Sequence, residues 1–263
     1  MKLKNILLVY THPAFGEYKS TLDLVKSVLK KYGVNYNLAD RDKLKKEQFL
    51  GKDLIIAIGG DGTFLRAAHF VDNEVLFGVN ADVNNKEGFF MEGNKKNFES
   101  KVKKIINNEI IIKKLIRLEC SINNRKIPAL ALNEFYIGPK KAYHSAKYII
   151  QFGGIRERHK SSGVLVTTPA GSYAWASSCL VKKMPLDSRN FQFVVREPYR
   201  GKIFKNYRLK SGVLDRNQKI RIVSEMLDGV IVADSVGKEF EFKNSSEAAI
   251  KISKNLVNLL ATK

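Results

Sequence analysis

Three continuous apolar runs, at residues 5–10 (NILLVY), 54–58 (LIIAI) and 75–79 (VLFGV), punctuate the first third of the chain. A run without polar alternation reads as a strand covered on both faces, as in a parallel sheet. Between the first two, residues 18–31 carry Leu22, Val25 and Leu29 on one helical face, and Gly33 supplies a stop. Residues 34–38 read as a weak strand and residues 41–50 as a short charged helix or loop. A glycine-rich turn follows the second run and leads into a helical stretch ending about Val71. Strands alternating with helices predict an α/β sheet.

The pattern changes after a helix at residues 98–107. Apolar, β-rich segments then dominate: 110–122, 127–137, 148–152, 164–167, 191–195, 219–223, 230–233, 240–242 and 249–252. One helix, at residues 172–182, is expected to interrupt them. Many short strands with turns between them predict an antiparallel sandwich or barrel. The fold class expected is therefore a Rossmann-like α/β domain, residues 1–100, followed by a β-rich, sandwich-like domain, residues 101–263. The boundary falls near residues 95–108, and the last strand is a candidate to return to the first domain.

Composition narrows this little: 44% hydrophobic and 27% charged residues suit an ordinary globular protein. No apolar stretch of about 18 residues exists to span a membrane. The start, MKLKNILLVYTHPAF, has the lysines of a signal peptide but too short an apolar run and no small-residue cleavage site, so it reads as a first strand. Cys120 and Cys179 match no metal-ligand spacing and fit two buried thiols in a reducing, cytoplasmic compartment. The net charge of +20 raises a nucleic-acid reading. That charge is mostly lysine, scattered along the chain, with no aromatic-interleaved basic stripe, so no specific nucleic-acid partner is expected. Steering of phosphorylated nucleotides accounts for it equally.

Candidate chemistry gathers in three places. Gly59-Gly60-Asp61-Gly62-Thr63 stands between a buried strand and a helix. Glycines there let a ligand approach the backbone, and a helix N-terminus suits phosphate. Asp61 would repel phosphate, which makes sense if it holds Mg²⁺ or takes a proton from a hydroxyl; a simple helix cap is the plain alternative. The motif is neither the dinucleotide fingerprint, lacking its third glycine, nor a Walker loop, lacking Gly-Lys-Ser/Thr. The second place is GVLVTTPAGSYAWASS, residues 163–178, with hydroxyls at Thr167, Thr168 and Ser172 and flat rings at Tyr173 and Trp175. The rings are candidates for stacking on a base, or for the core. The third is Asn133-Glu134 in an apolar strand, suited to ribose hydroxyls or to a strand-edge hydrogen-bond pair. His12, His69, His144 and His159 show no pairing that demands a catalytic or metal role; His12, ending the first strand, sits where ligand loops occur.

In this order and at these separations, GGDGT, the Leu-Asn-Glu strand and the Thr-Pro-Ala-Gly-Ser loop resemble the NAD kinase family. Residues 78–90 (GVNADVNNKEGFF) are similar to the family's Gly-Ile-Asn loop. Its longer form, with Asp82, looks closer to the mitochondrial-type branch, as do Lys160-Ser161-Ser162-Gly163, Ala174-Trp175 and VREP at 195–198. Asp228-Gly229 is similar to the family's late Asp-Gly turn. GGDGT alone is shared with diacylglycerol- and sphingosine-type lipid kinases, and the other pieces are more specific.

The resemblance, spanning residues 53–235, implies phosphorylation of NAD to NADP by ATP with Mg²⁺, a homo-oligomer (dimer or tetramer), and an active site between two domains. It implies Asp61 as the base facing the ribose 2′-hydroxyl, with Gly59, Gly60, Gly62 and Thr63 on donor phosphates. Asn80, Asn133, Glu134, Ser162, Thr168, Tyr173, Ala174, Trp175 and Ser178 would surround the NAD. Two positions depart from common bacterial members: Ser162 stands in place of an aspartate and Trp175 in place of a tyrosine. Arg156, Arg158 and Lys160 are either diphosphate partners or a solvated face. A lipid kinase and a non-catalytic nucleotide-binding regulator are the rival readings.

Overall fold

The computed structural model describes residues 3–12 and 16–263; positions 1–2 and 13–15 of the N-terminal stretch considered above lie outside them. The chain begins β1 (Ile6–Tyr10), α1 (Glu17–Lys31), β2 (Tyr36–Asp40), β3 (Leu54–Gly59), α2 (Asp61–Ala68), β4 (Val75–Asn80), β5 (Met91–Asn94), α3 (Phe98–Ile106) and β6 (Ile110–Leu115). Strands β7 (Leu118–Ile122), β8 (Arg125–Ala131), β9 (Glu134–Pro139), β10 (Ala146–Phe152), β11 (Ile155–Ser161) and β12 (Val164–Thr167) follow. Then come β13 (Phe191–Val195), β14 (Ser211–Leu214), β15 (Ile220–Ser224), β16 (Gly229–Ala233), β17 (Phe240–Glu241) and β18 (Glu247–Ile252), and finally β19 (Val257–Thr262). Two units result: Met1–Leu115 with Leu256–Lys263, and Ile116–Asn255.

The first unit is a seven-stranded sheet, ordered β2-β1-β3-β4-β19-β6 with β5 also on β4. β1, β2, β3 and β4 are mutually parallel, and β19 runs parallel to β4 and antiparallel to β6. The apolar runs behave as their composition dictates: every residue of β3 is buried. α1 packs Leu22, Val25 and Leu29 into the sheet core. It ends in a Schellman turn, with Gly33 at φ 65° donating to Lys30 O and Val34 N to Leu29 O.

In the second unit two antiparallel six-stranded sheets, β11-β10-β15-β18-β7-β8 and β14-β13-β12-β9-β16-β17, share one core. Tyr148, Ile150, Ile222 and Ile250 come from one sheet; Phe135, Val166, Phe193 and Ile231 come from the other. The arrangement is a sandwich.

The helix expected at 172–182 is corrected by the structure to two short 3₁₀ turns, Ala170–Tyr173 and Trp175–Cys179. Serine hydroxyls compete with the helix: Ser172 Oγ donates to Pro169 O at 2.6 Å and Ser177 Oγ to Ala174 O at 2.7 Å. Ala174, at ψ −137°, breaks the path between them, and Leu180, at φ 57°, ends it. The segment 110–122 is two strands, parted at Ile116 and Arg117. Arg117 is buried, donating through Nε to Asn255 O while its carbonyl accepts from Ser253 N.

Candidate functional site

From β1 the chain steps to β2 on one side, then returns to place β3 on the other. The carboxyl ends of β1 and β3 therefore flank the switch point where open α/β sheets bind ligands. Thr11 follows β1, Gly59 ends β3, and the two threonine hydroxyls Thr11 Oγ1 and Thr63 Oγ1 lie 2.8 Å apart. A Cβ on Gly59 would collide with both hydroxyls, so only glycine fits. Gly62 is different: a Cβ there meets nothing within 4 Å. Gly62 is the second residue of α2, so its lack of a side chain leaves the backbone of the helix's first turn open.

Asp61 is not the helix cap. Gly60 holds that position, without a side-chain cap bond. Both Asp61 oxygens instead accept loop amides, Oδ2 from Phe89 N at 3.0 Å and Oδ1 from Phe90 N at 2.9 Å. Asn80 holds the same loop's other end, donating from Nδ2 to Lys86 O (3.0 Å) and accepting at Oδ1 from Asp82 N (3.0 Å). The GGDGT turn and the loop at residues 81–90 are thus one construction. Arg41, just past β2, donates from Nη1 to Thr63 Oγ1 at 3.3 Å. Its buried Nε has no hydrogen-bond partner, with Asp42 Oδ1 at 3.7 Å, beyond hydrogen bonding.

On the second unit, residues 132–134 turn sharply into β9. The carbonyls of Leu132 and Asn133 accept from the Thr168 and Thr167 hydroxyls, at 2.6 and 3.1 Å. Their amides, and that of Glu134, point to the Asp234 carboxylate. A Cβ on Gly171 would fall on the Asn133 carbonyl oxygen, so the Pro-Ala-Gly-Ser turn can seat here only with glycine. The side chains of Asn133 and Glu134 are 7% and 3% exposed, yet Asn133 Oδ1 and Glu134 Oε2 have no hydrogen-bond partner. Buried polar atoms normally find one. Burial, and then the charge of Asp234, push the Glu134 carboxyl up to about 8. At neutral pH it is mostly protonated, so it can both donate and accept.

The remaining expected residues separate into smaller groups. Trp175 stacks on Tyr136, centroids 5.4 Å apart, and carries the Arg196 guanidinium 4.5 Å from its ring. Ser162 joins this cluster through its backbone, donating to Arg196 O and accepting the Tyr136 hydroxyl. Tyr173 and Ser178 are exposed, and Lys183 Nζ lies 5.4 Å from the Tyr173 ring. Thr11, Arg41 and Asp234 escaped sequence reasoning. A polar residue just past an apolar strand was the available signal for Thr11 and Asp234; Arg41 follows the polar β2 and carried none. No group of three or more His, Cys, Asp or Glu among the described residues could hold a metal ion. No helix among them is long and apolar enough to cross a membrane.

The family profile described as the ATP-NAD kinase N-terminal domain matches residues 12–110. A probable NADH kinase of Oryza sativa subsp. japonica is 26% identical over 244 residues, covering 82% of this chain and 73% of that protein. An NAD kinase of Pyrococcus furiosus is 34% identical over 143 residues, 53% of this chain and 50% of that one. In fold, the chain is similar to an NAD kinase from Archaeoglobus fulgidus solved in complex with ATP. The TM-score is 0.78 at 23% identity, over 98% of this chain and 93% of that one.

Proposed function

We propose that the chain, similar to NAD kinases over residues 12–110 and to a probable NADH kinase over most of its length, is a member of the NAD kinase family and transfers the γ-phosphoryl group of ATP to the adenosine-side ribose 2′-hydroxyl of NAD, giving NADP and ADP. The observation that carries the reading is the pair of buried acceptors without partners, Asn133 Oδ1 and Glu134 Oε2, on a corner fixed from both sides. A ribose diol offers the donors and acceptors they lack.

In phosphoryl transfer the protein mainly positions the reactants and stabilises charge. Asn133 and Glu134 grip the ribose, with Thr168, Tyr173, Ala174, Trp175, Ser178, Ser162 and Asn80 around the dinucleotide. Asp61 takes the hydroxyl proton; each of its oxygens accepts one amide and keeps a further lone pair. Gly59, Gly60, Gly62 and Thr63 face the donor phosphates, and Arg41 adds a guanidinium beside Thr63. Mg²⁺ enters as part of the substrate, carried on the ATP phosphates, because magnesium is usually held by few carboxylates and the phosphates themselves. The net charge of +20 steers both nucleotides inward. A cytoplasmic homo-oligomer completes the proposal.

Purified protein with NAD, ATP and Mg²⁺ must form NADP. NADH in place of NAD tests the reduced acceptor, and diacylglycerol tests the lipid-kinase alternative. Binding of NAD without NADP formation would leave a non-catalytic regulator.

A further inference from the structure

Asp234 sits at the end of β16, a hundred residues beyond the corner it touches. Its carboxylate accepts three consecutive amides: Leu132 N at 2.9 Å, Asn133 N at 2.6 Å and Glu134 N at 3.2 Å. Its own amide donates to Glu134 O at 2.9 Å, extending the β16–β9 ladder by one bond. The residue is 3% exposed and takes φ 53°, as does Ser235 after it. Two successive non-glycine residues in the left-handed region carry a conformational cost. Their strain is offset here by hydrogen bonds to an ionised group, among the stronger kinds.

We infer that Asp234 is a positioning residue for the acceptor nucleotide, fixing the corner at residues 132–134 so that Asn133 and Glu134 present their free oxygens together. The inference rests on the ribose-binding reading of that corner. Thr167 and Thr168 hold the corner's carbonyls, and only Asp234 reaches all three of its amides. A second consequence follows from charge. Asp234 is the negative neighbour that, after burial, favours the protonated form of Glu134. It therefore adds to burial in favouring the hydrogen-bonding state of the ribose ligand, besides fixing its place.

The test uses the full chain, Asp234→Asn and Asp234→Glu, with KM for NAD, KM for ATP and kcat measured across pH and melting recorded beside them. Asp234→Asn turns one acceptor into a donor facing an amide and removes the charge. It should raise KM for NAD at least about tenfold, leave KM for ATP within about twofold, and move the pH midpoint of NAD binding to lower pH. Asp234→Glu keeps the charge and displaces the oxygens, so KM for NAD should rise without the acid-ward move. Equal changes in both KM values, no change in KM for NAD, or failure of both variants to fold would overturn the inference and leave a purely structural residue. If wild-type protein forms no NADP, the proposed function falls by itself. The inference is then read from NAD titration calorimetry on the same proteins, where equal NAD affinity in wild type and Asp234→Asn overturns it.

Discussion

Glu134→Gln isolates the energetic cost of keeping a carboxyl in the acceptor corner. The side chain is 3% exposed, one oxygen lacks a partner, and Asp234 adds a like charge. In the folded chain the group titrates at about 8, against an ordinary 4.5. At about 1.4 kcal/mol per pH unit, the interval corresponds to roughly 5 kcal/mol between the two protonation states. The sign follows from proton linkage. Between the two values the native chain binds a proton that the unfolded chain has released, so stability falls as pH rises. The contribution is fully present below about pH 4.5 and is gone above about pH 8. Glutamine keeps the size and one acceptor but cannot ionise. Urea unfolding of both proteins from about pH 5 to about pH 9 should show wild type losing several kcal/mol relative to Glu134→Gln. Other groups titrate equally in the two and cancel. Parallel stability curves would show that Glu134 feels neither burial nor Asp234, and the ribose ligand proposed here would be an ordinary surface carboxylate.

Asp61→Asn should slow NADP formation about a hundred- to ten-thousand-fold, as expected for loss of a general base, with far less change in NAD affinity; near wild-type turnover would refute the assignment. Arg41→Met keeps the aliphatic stem and removes the guanidinium beside Thr63. KM for ATP should rise about tenfold, the scale of one charged hydrogen bond, with KM for NAD steady, and an unchanged ATP dependence would place Arg41 outside the donor site. Gly171→Ala forces a methyl onto the Asn133 carbonyl, which should cost about 1–3 kcal/mol of stability and weaken NAD binding together; a melting temperature equal to wild type would contradict the packing described.

Features carried by short-range pattern were legible beforehand. The buried strands β1, β3 and β4 stood out because a doubly covered strand needs an unbroken apolar run. The glycines at 59 and 62 were visible as a motif, though their reasons differ and only coordinates separate a steric need from open space. The 3₁₀ turns at 170–179 were misread because apolar and small residues mimic a helix while serine back-bonding works against one. Charged β11 (IRERHKS) carries no apolar run: its buried residues are His159, between Tyr148 and Tyr207, and Ser161, and only Ile155 adds an aliphatic side chain to the core. Asp234 lies about a hundred residues from the corner it supports and Arg41 lies 22 from Thr63, and local periodicity reports neither contact. Asp61 opens α2, and its partners, the amides of Phe89 and Phe90, belong to a loop whose path sequence does not disclose.

The position of β19 has a consequence for how the chain is made. In the first unit's sheet, β19 lies between β4 and β6, so it is an interior strand and not an edge. It is translated only after the whole of Ile116–Asn255. At roughly 5–20 residues per second, the ribosome needs on the order of ten seconds to cover that interval. Throughout it β6 has no neighbour and β4 shows unpaired backbone at Val75 and Leu76, where β19 will bind. Such an open slot is a template for any passing strand. The lysines at 113 and 114 place charge on β6, the kind of side chain that disfavours foreign pairing at an open strand.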